Sequence, residues 1–251
     1  DVYKRQGLLT ADEAIGADVS QLFNFLTGYG RAIDFQRLLI APDHLRRPLL
    51  DSIAGEAALG DQGRIVLKMN SLVDAEMIDA LYAASRAGTS IDLIVRGICC
   101  LRPGLEGISE NIQVRSIVDR FLEHSRIMVF GEGSEAKIYL SSADWMPRNF
   151  GRRVEVMFPV EDPQIRRRIS EEIIPTYLSD NTRARILMPD GSYVRAAAWH
   201  AEAERRAQRD LLHVAASGSS LTASANGAPD DEKAPGDGKK KRKKSAAAKS
   251  K

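Results

Sequence analysis

One histidine in this sequence stands among side chains that are suited to binding phosphate. His124 is followed two residues later by Arg126 at the entry to a predicted strand, so both side chains emerge on the same face. Arginine offers a planar fork of donors to a phosphoryl group, and histidine exchanges a proton near neutral pH. The pair therefore predicts phosphoryl chemistry, against the simpler interpretation that a histidine at a strand edge is a surface residue. Further arginines lie nearby in sequence: Arg96, Arg102, Arg115, Arg120, Arg148, Arg152 and Arg153.

Other candidates stand at the ends of predicted strands. Arg96 follows the apolar run 91–95 and precedes Gly97, where the strand must break. Ligands of open α/β sheets bind beyond the carboxyl ends of strands, so Arg96 is a candidate for binding phosphate. A salt bridge at the rim of the sheet is the alternative. Short polar side chains after the strand at 137–140 are suited to holding phosphate or orienting a histidine, and equally to forming a turn: Ser141, Ser142, Asp144 and Asn149.

The elements that position these residues alternate between strand and helix. Such alternation predicts a parallel or mixed sheet covered by helices, an α/β fold. Strands are predicted at 37–41, 64–69, 91–95, 112–117, 126–130, 137–140, 153–158 and 183–188. Helices are predicted at 17–26, 43–55, 73–87, 163–178 and 196–215, with a helical turn at 118–123.

Two of these elements carry a predicted orientation. In the strand at 153–158, alternation places Val154, Val156 and Phe158 on one face and Glu155 on the other. In the helix at 17–26 the predicted apolar face consists of Val19, Leu22, Phe23 and Leu26.

Composition limits the class of protein. The 251 residues are 43% hydrophobic with a formal net charge of +2. Residues 217–251 hold nine Lys/Arg against four Asp/Glu, which leaves about −3 on the rest. A near-neutral body argues against a general nucleic-acid binder, and this tail is predicted to be disordered. The sequence lacks P-loop and Rossmann glycine motifs, CxxC spacing and an apolar run long enough to span a membrane.

Long motifs resemble a known family. The resemblance is to the C-terminal part of bacterial polyphosphate kinases, the long-chain polyphosphate-synthesising family, and it runs from about Gly7 to Arg195. The segments that carry it are LFNFLTG, KMNSLVDAEMIDALYAAS, IDLIVRGICCLRPGLEGISENI, VRSIVDRFLEHSRI and YLSSADWMPRNFGRRVEV.

The resemblance implies a domain organisation. It predicts a fragment that begins with the remnant end of a preceding catalytic domain at 1–30. A C-terminal phospholipase-D-like domain, a mixed sheet flanked by helices, follows at 31–195. A charged helix at 196–216 and a disordered basic tail at 217–251 complete the chain.

The resemblance also implies an activity. It is reversible transfer of the ATP γ-phosphate to polyphosphate, with Mg²⁺, through a phosphohistidine. Arg96 and His124 match family positions that contact the nucleotide's phosphates, and His124 matches the assisting histidine. The phosphorylated histidine and the magnesium-associated arginines belong to motifs upstream of Gly7, so this chain is expected to hold no metal and to be inactive alone. Tyr3 stands at the offset of a nucleotide-contacting tyrosine, although Lys4-Arg5-Gln6 depart from the family pattern.

The expected partners are ATP or ADP and inorganic polyphosphate. The parent protein is expected to be a cytoplasmic homo-oligomer without a transmembrane segment, either free or peripheral to the membrane. Two alternatives stay open. The chain could be a non-catalytic module that binds polyphosphate or RNA through its arginines and basic tail. It could also be a dimeric phospholipase-D-like hydrolase, although the His-x-Lys motif of that family has Arg126 in place of lysine here.

Overall fold

A mixed sheet organises the part of the chain that the structure describes. The computed structural model describes residues 7–28, 35–42, 44–196 and 203–217, together with the backbone of residues 3 and 4. The sheet has nine strands in the order β11-β10-β5-β4-β3-β7-β8-β9-β2. The central strands β3, β4 and β5 are parallel, and the remaining pairings are antiparallel. The predicted α/β class with a mixed sheet flanked by helices is confirmed.

The elements follow one another along the chain. The strands are β1 Tyr3–Lys4, β2 Leu39–Ala41, β3 Arg64–Met69, β4 Ser90–Val95, β5 Ile112–Ile117, β6 Leu122–Glu123, β7 Ile127–Phe130, β8 Lys137–Ser141, β9 Glu155–Pro159, β10 Ala184–Leu187 and β11 Tyr193–Arg195. The helices are α1 Glu13–Leu26, α2 Arg46–Ala58, α3 Ala75–Arg86, α4 Pro147–Gly151, α5 Pro163–Arg168, α6 Ile174–Leu178 and α7 Ala207–Ser217. A π-helical turn, Ile169–Ile173, joins α5 to α6.

Helices cover both faces of the sheet. The face that carries Ile65, Leu67 and Met69 of β3 packs on α2 and α3 in the largest apolar cluster. Val66 of the same strand contributes to a second cluster with Ile169 and other residues of the α5–α6 segment. Because β3 is buried on both sides, its sequence after Arg64 is a nearly continuous apolar run in which Lys68 is the exception.

The predicted apolar face of the first helix is only partly correct, since Leu22 is buried but Val19, Phe23 and Leu26 are exposed. Helix α1 begins earlier than expected because Asp12 caps it, accepting a hydrogen bond from the Ile15 amide at 2.8 Å. The buried carboxylate of Asp18 then accepts from three backbone amides at 36–38, which fixes the rotation of the helix. This anchor turns Phe23 outward, where it is 63% exposed.

One local prediction fails near the site. The segment predicted as a helical turn at 118–123 is extended at β6, which pairs in parallel with β1. In β9 the predicted alternation is present, since Val156 and Phe158 pack against the α1 cluster and Glu155 is buried on the other face. Val154 precedes the strand and is 44% exposed. Both faces of β9 are therefore covered.

The C-terminal elements also differ from the prediction. Strand β11 was not predicted, because three residues after a turn carry little signal. The helix predicted at 196–215 begins at Ala207, and it packs closely on the body, with Ala207 and Gln208 buried. The predicted disordered tail lies outside the described residues beyond 217.

Candidate active site

One edge of the sheet collects the predicted functional residues. Arg96 follows β4 directly, and the residues around His124 precede β7, which runs antiparallel to β3. The register places Met69 opposite Val95 and Lys68 opposite Ile127. Arg96 and His124 therefore lie on either side of the C-terminal end of β3.

A single arginine fixes the state of His124. Arg126 Nη1 lies 2.7 Å from Nδ1 of His124 and 3.0 Å from its carbonyl oxygen. A guanidinium only donates hydrogen bonds, so Nδ1 must accept and the ring proton belongs on Nε2. The predicted pairing of His124 with Arg126 is thus present. Arg126 orients the imidazole, and since the arginine is itself largely buried, it holds the ring in one arrangement.

Asp144 holds that arginine in turn. Its carboxylate accepts from Arg126 Nε at 3.2 Å and Nη2 at 2.9 Å, and from the Asn70 backbone amide at 2.8 Å. Burial opposes ionisation of Asp144, but the hydrogen bonds and charge of Arg126 and the Asn70 donors outweigh it, so the pKa of Asp144 is lowered. The loop after β8 therefore orients the histidine through one intervening arginine.

We expect Asp144→Asn to lower the free energy of unfolding by about 3 kcal/mol at neutral pH, because it leaves Arg126 largely buried without its counter-charge. Because the pKa of Asp144 is lower in the folded than in the unfolded state, its ionised form stabilises the fold. This stabilisation is complete above the unfolded-state pKa, about 3.9, and is lost as the pH falls through the folded-state pKa. Denaturant unfolding of wild type and variant should thus differ by a constant amount above about pH 5 and converge below about pH 4.

Asp51→Asn is the matched control, since Asp51 forms an exposed pair with Arg47. A wild-type-to-variant difference for Asp144 that stayed constant down to pH 2 would contradict the role given to the carboxylate.

A buried charge network beneath the histidine was missed by the sequence prediction. Lys68 and Glu123 are each 2% exposed, and Lys68 Nζ lies 3.1 Å from Glu123 Oε2 and 2.8 Å from Ser125 Oγ. Glu123 also accepts hydrogen bonds from Tyr177 at 2.9 Å and from Gln208 at 2.8 Å. Burial and the neighbouring carboxylate of Glu123 raise the pKa of Tyr177, so its hydroxyl stays a donor. The available signal was a lysine inside the apolar run of β3.

Gln208 ties the last described helix to the same segment. Its side chain donates to the Phe121 carbonyl at 2.8 Å and accepts from the Phe121 amide at 2.9 Å. Together with the bond to Glu123, these contacts hold residues 121–123, directly before His124, in an extended conformation. The close packing of α7 therefore has a role in placing the histidine.

Arg96 presents an unused donor. Its Nη1 is buried and has no hydrogen-bond partner within the described chain. Its backbone is held on both sides, with its amide 3.3 Å from the Met69 carbonyl and its own carbonyl accepting from Ser116 Oγ at 3.0 Å. Arg96 also lines a cavity of about 480 Å³ at this edge. A larger cavity of about 770 Å³ is lined by neither Arg96 nor His124.

The remaining candidate site residues contact other parts of the structure. Ser142 Oγ and Asn149 Nδ2 donate to the buried Glu155 at 2.5 Å each, and Ser141 Oγ donates to the Val156 carbonyl. These three side chains stabilise the start of β9. The backbone of Tyr3 pairs with Leu122, two residues from His124, whereas the Tyr3 side chain lies outside the described structure.

Within the described ranges, no three His, Cys, Asp or Glu side chains are grouped to hold a metal ion. None of the helices described is long and apolar enough to cross a bilayer.

Comparison with known proteins gives consistent matches. The family model described as Polyphosphate kinase C-terminal domain 2 matches residues 38–208. A polyphosphate kinase from Synechocystis sp. is 53% identical over 197 residues, which cover 77% of this chain and 27% of the relative. A polyphosphate kinase from Pseudomonas aeruginosa is 50% identical over 214 residues, 84% of this chain and 31% of the relative. The crystal structure of polyphosphate kinase from Porphyromonas gingivalis matches with a TM-score of 0.78 and 39% identity, over 83% of this chain and 32% of that one. The chain thus spans about three tenths of the length of these proteins.

Proposed function

The chain belongs to the polyphosphate kinase family, and from this we propose that residues 7–217 form one wall of a site that transfers the ATP γ-phosphate reversibly to polyphosphate. One observation carries the proposal: Arg96 and an oriented His124 flank the end of the same buried strand. Phosphoryl transfer depends mainly on positioning and on electrostatic stabilisation of the phosphoryl oxygens. A fixed guanidinium and an imidazole with its proton on Nε2 supply both.

In this proposal Arg96 binds a phosphate of the nucleotide. Its buried Nη1 has no partner in the described protein, and leaving a charged donor buried without a partner is costly. A phosphate oxygen would satisfy it with a charge-assisted hydrogen bond. Because the backbone of Arg96 is tied to Met69 and Ser116, the point from which its side chain starts is fixed before the ligand arrives.

His124 acts on the phosphate that is being transferred. With Nδ1 accepting from Arg126, the Nε2 proton is available to an oxygen of the transferring group. The Asp144–Arg126 pair keeps the ring from rotating, so donation does not require the histidine to reorganise during the reaction.

Other parts of the proposed site are supplied from outside this chain. No residue here matches the family's phosphorylated histidine, so we expect sequence outside this chain to provide it. The described residues do not fit a magnesium site of their own, because Asp144 is already bonded to Arg126 and Asn70 and no group of potential ligands surrounds it. Mg²⁺ is expected to arrive with the ATP phosphates. Homo-oligomerisation and a cytoplasmic location stay predictions.

A hybrid enzyme tests the proposed function. The 214 aligned residues of the Pseudomonas aeruginosa relative would be replaced by the corresponding residues of this chain. We expect the hybrid to extend polyphosphate from radiolabelled ATP, because the wall described here would then face a complete partner wall. The isolated chain is expected to show no transfer.

Two controls make the result specific. A hybrid with His124→Ala controls for background synthesis, and the unmodified relative sets the reference rate. A well-folded hybrid without activity would contradict the proposal, as would ATP-dependent chain growth by the isolated chain.

A further inference from the structure

Four arginines surround the cavity of about 480 Å³ that begins at Arg96. The other three come from the far side of the sheet, Arg183 from directly before β10, Arg185 from β10 and Arg195 from β11. Ser116, Thr182 and Tyr193 add hydroxyl groups, and none of the residues lining the cavity is acidic. The body of the chain is close to neutral overall, so this concentration of positive charge is local.

The strand register arranges part of this cluster in a row. Ser116 of β5 lies opposite Arg185 of β10, and Arg185 lies opposite Arg195 of β11. Residues directly opposite in neighbouring strands share a face, so the three side chains project on the same side of the sheet. Ser116 donates to the backbone carbonyl of Arg96, and the side chain of Arg96 lines the same cavity as the row. Two strand spacings, roughly 10 Å, separate its ends.

In the absence of a ligand, the charges of this row destabilise the protein. Like charges directly opposite each other destabilise a pair of strands, and Arg185 faces Arg195 in this way. Within the described residues neither arginine has a carboxylate partner, whereas Arg183 lies 3.6 Å from Asp119. With the unpartnered Nη1 of Arg96, three guanidinium groups thus lack an anion. An anionic ligand that runs along the row would supply it.

We propose that Arg96 together with the row Ser116, Arg185 and Arg195 binds successive phosphates of an inorganic polyphosphate chain. The identity of the anion rests on the proposed function, whereas the existence of an anion site rests on the geometry alone. Planar guanidinium groups match phosphate oxygens in pairs, and a row longer than a single phosphate suits a linear chain of them. The terminal phosphate would lie at Arg96, and the rest of the chain would extend across β10 and β11 toward the edge of the sheet.

Binding of polyphosphates of defined length to the full 251-residue chain tests the site. Isothermal titration would compare pyrophosphate with a long chain for wild type and for Arg185→Gln/Arg195→Gln. Each lost charge-assisted bond is substantial, so we expect the double variant to bind the long chain about 10- to 100-fold more weakly. Pyrophosphate, which reaches only Arg96, should bind nearly as before.

Matched variants separate this site from general charge effects. Arg167→Gln/Arg168→Gln removes the same charge from exposed positions of α5 and should leave long-chain binding nearly unchanged. Arg185→Lys/Arg195→Lys keeps the charge without the planar fork and should fall between wild type and the Gln variant. A third variant replaces the basic residues at 239–244 with glutamine and should keep the length dependence.

Several results would overturn the proposal. Equal losses in the Arg185/Arg195 and Arg167/Arg168 variants would show unspecific attraction, and loss confined to the 239–244 variant would assign binding to the tail. An RNA oligonucleotide that displaced polyphosphate at equal charge would exclude a site specific for polyphosphate. The binding experiment involves no phosphoryl transfer. An inactive hybrid enzyme would therefore refute the proposed function and leave the binding result unaffected.

Discussion

Replacing His124 with alanine in the hybrid enzyme is expected to lower kcat by roughly 10²- to 10⁴-fold, the contribution typical of a positioned acid or base. The KM for ATP should change little. A group that acts mainly on the transferring phosphate stabilises the transition state more than bound ATP, so its loss lowers kcat and kcat/KM together. Steady-state rates from labelled ATP, with nucleotide affinity measured separately, check both parts.

Two comparison variants define the role further. His213→Ala removes an exposed histidine of α7 and should leave the rate unchanged. His124→Gln keeps an N–H donor without the capacity to exchange a proton near neutral pH. Partial recovery by glutamine would assign hydrogen-bond stabilisation to His124, and no recovery would assign proton transfer. Equal losses of rate and nucleotide affinity in His124→Ala would contradict either role.

The role of His124 depends on residues that sequence reasoning reached only in part. Arg126 was predicted as a second phosphate ligand beside the histidine, and the structure instead directs its guanidinium to Asp144 and to the imidazole. Spacing of two residues places side chains on one face but does not say which of them contact each other. The polar residue that decides this, Asp144, lies 18 positions downstream, and only the sheet brings it near.

The central strands were predictable for a physical reason. The bounds of β3 and β5 agree with the prediction residue for residue. The nearly continuous apolar run of β3 is typical of a buried parallel strand, and β5 begins with the apolar-polar alternation typical of strands. Elements at the periphery were harder to predict from the sequence. The β6 segment is extended because Gln208 and Lys68 hold it, and neither contact is visible within the local sequence. Local propensity therefore gave a helical turn where tertiary contacts impose a strand.

The same limit applies to Arg185 and Arg195. In sequence they stand ten residues apart on either side of a turn, and nothing in their spacing distinguishes them from surface arginines. The pairing of β10 with both β5 and β11 places Arg185 between Ser116 and Arg195. A prediction of this row requires the register of three strands, one of which was not predicted at all.

Lys68→Met is expected to lower the free energy of unfolding by about 3–5 kcal/mol, the cost of breaking a buried ion pair from one side. The variant leaves Glu123 buried next to Tyr177 and Gln208 without its cation. Since Lys68 also donates to Ser125, the segment before and after His124 loses a fixed point. Denaturant unfolding of the full chain measures the first effect, and amide hydrogen exchange at 121–126 measures the second.

The double variant Lys68→Met/Glu123→Gln separates the charge from the packing. Removing both charges leaves no unpaired buried ion, so the double variant should be more stable than Lys68→Met alone. Arg47→Met breaks an exposed pair with Asp51 and should have little effect on stability. If Lys68→Met behaved like Arg47→Met, the network would not be what holds the histidine segment. Faster exchange at 121–126 in Lys68→Met, reversed in the double variant, would instead link the buried pair directly to the placement of His124.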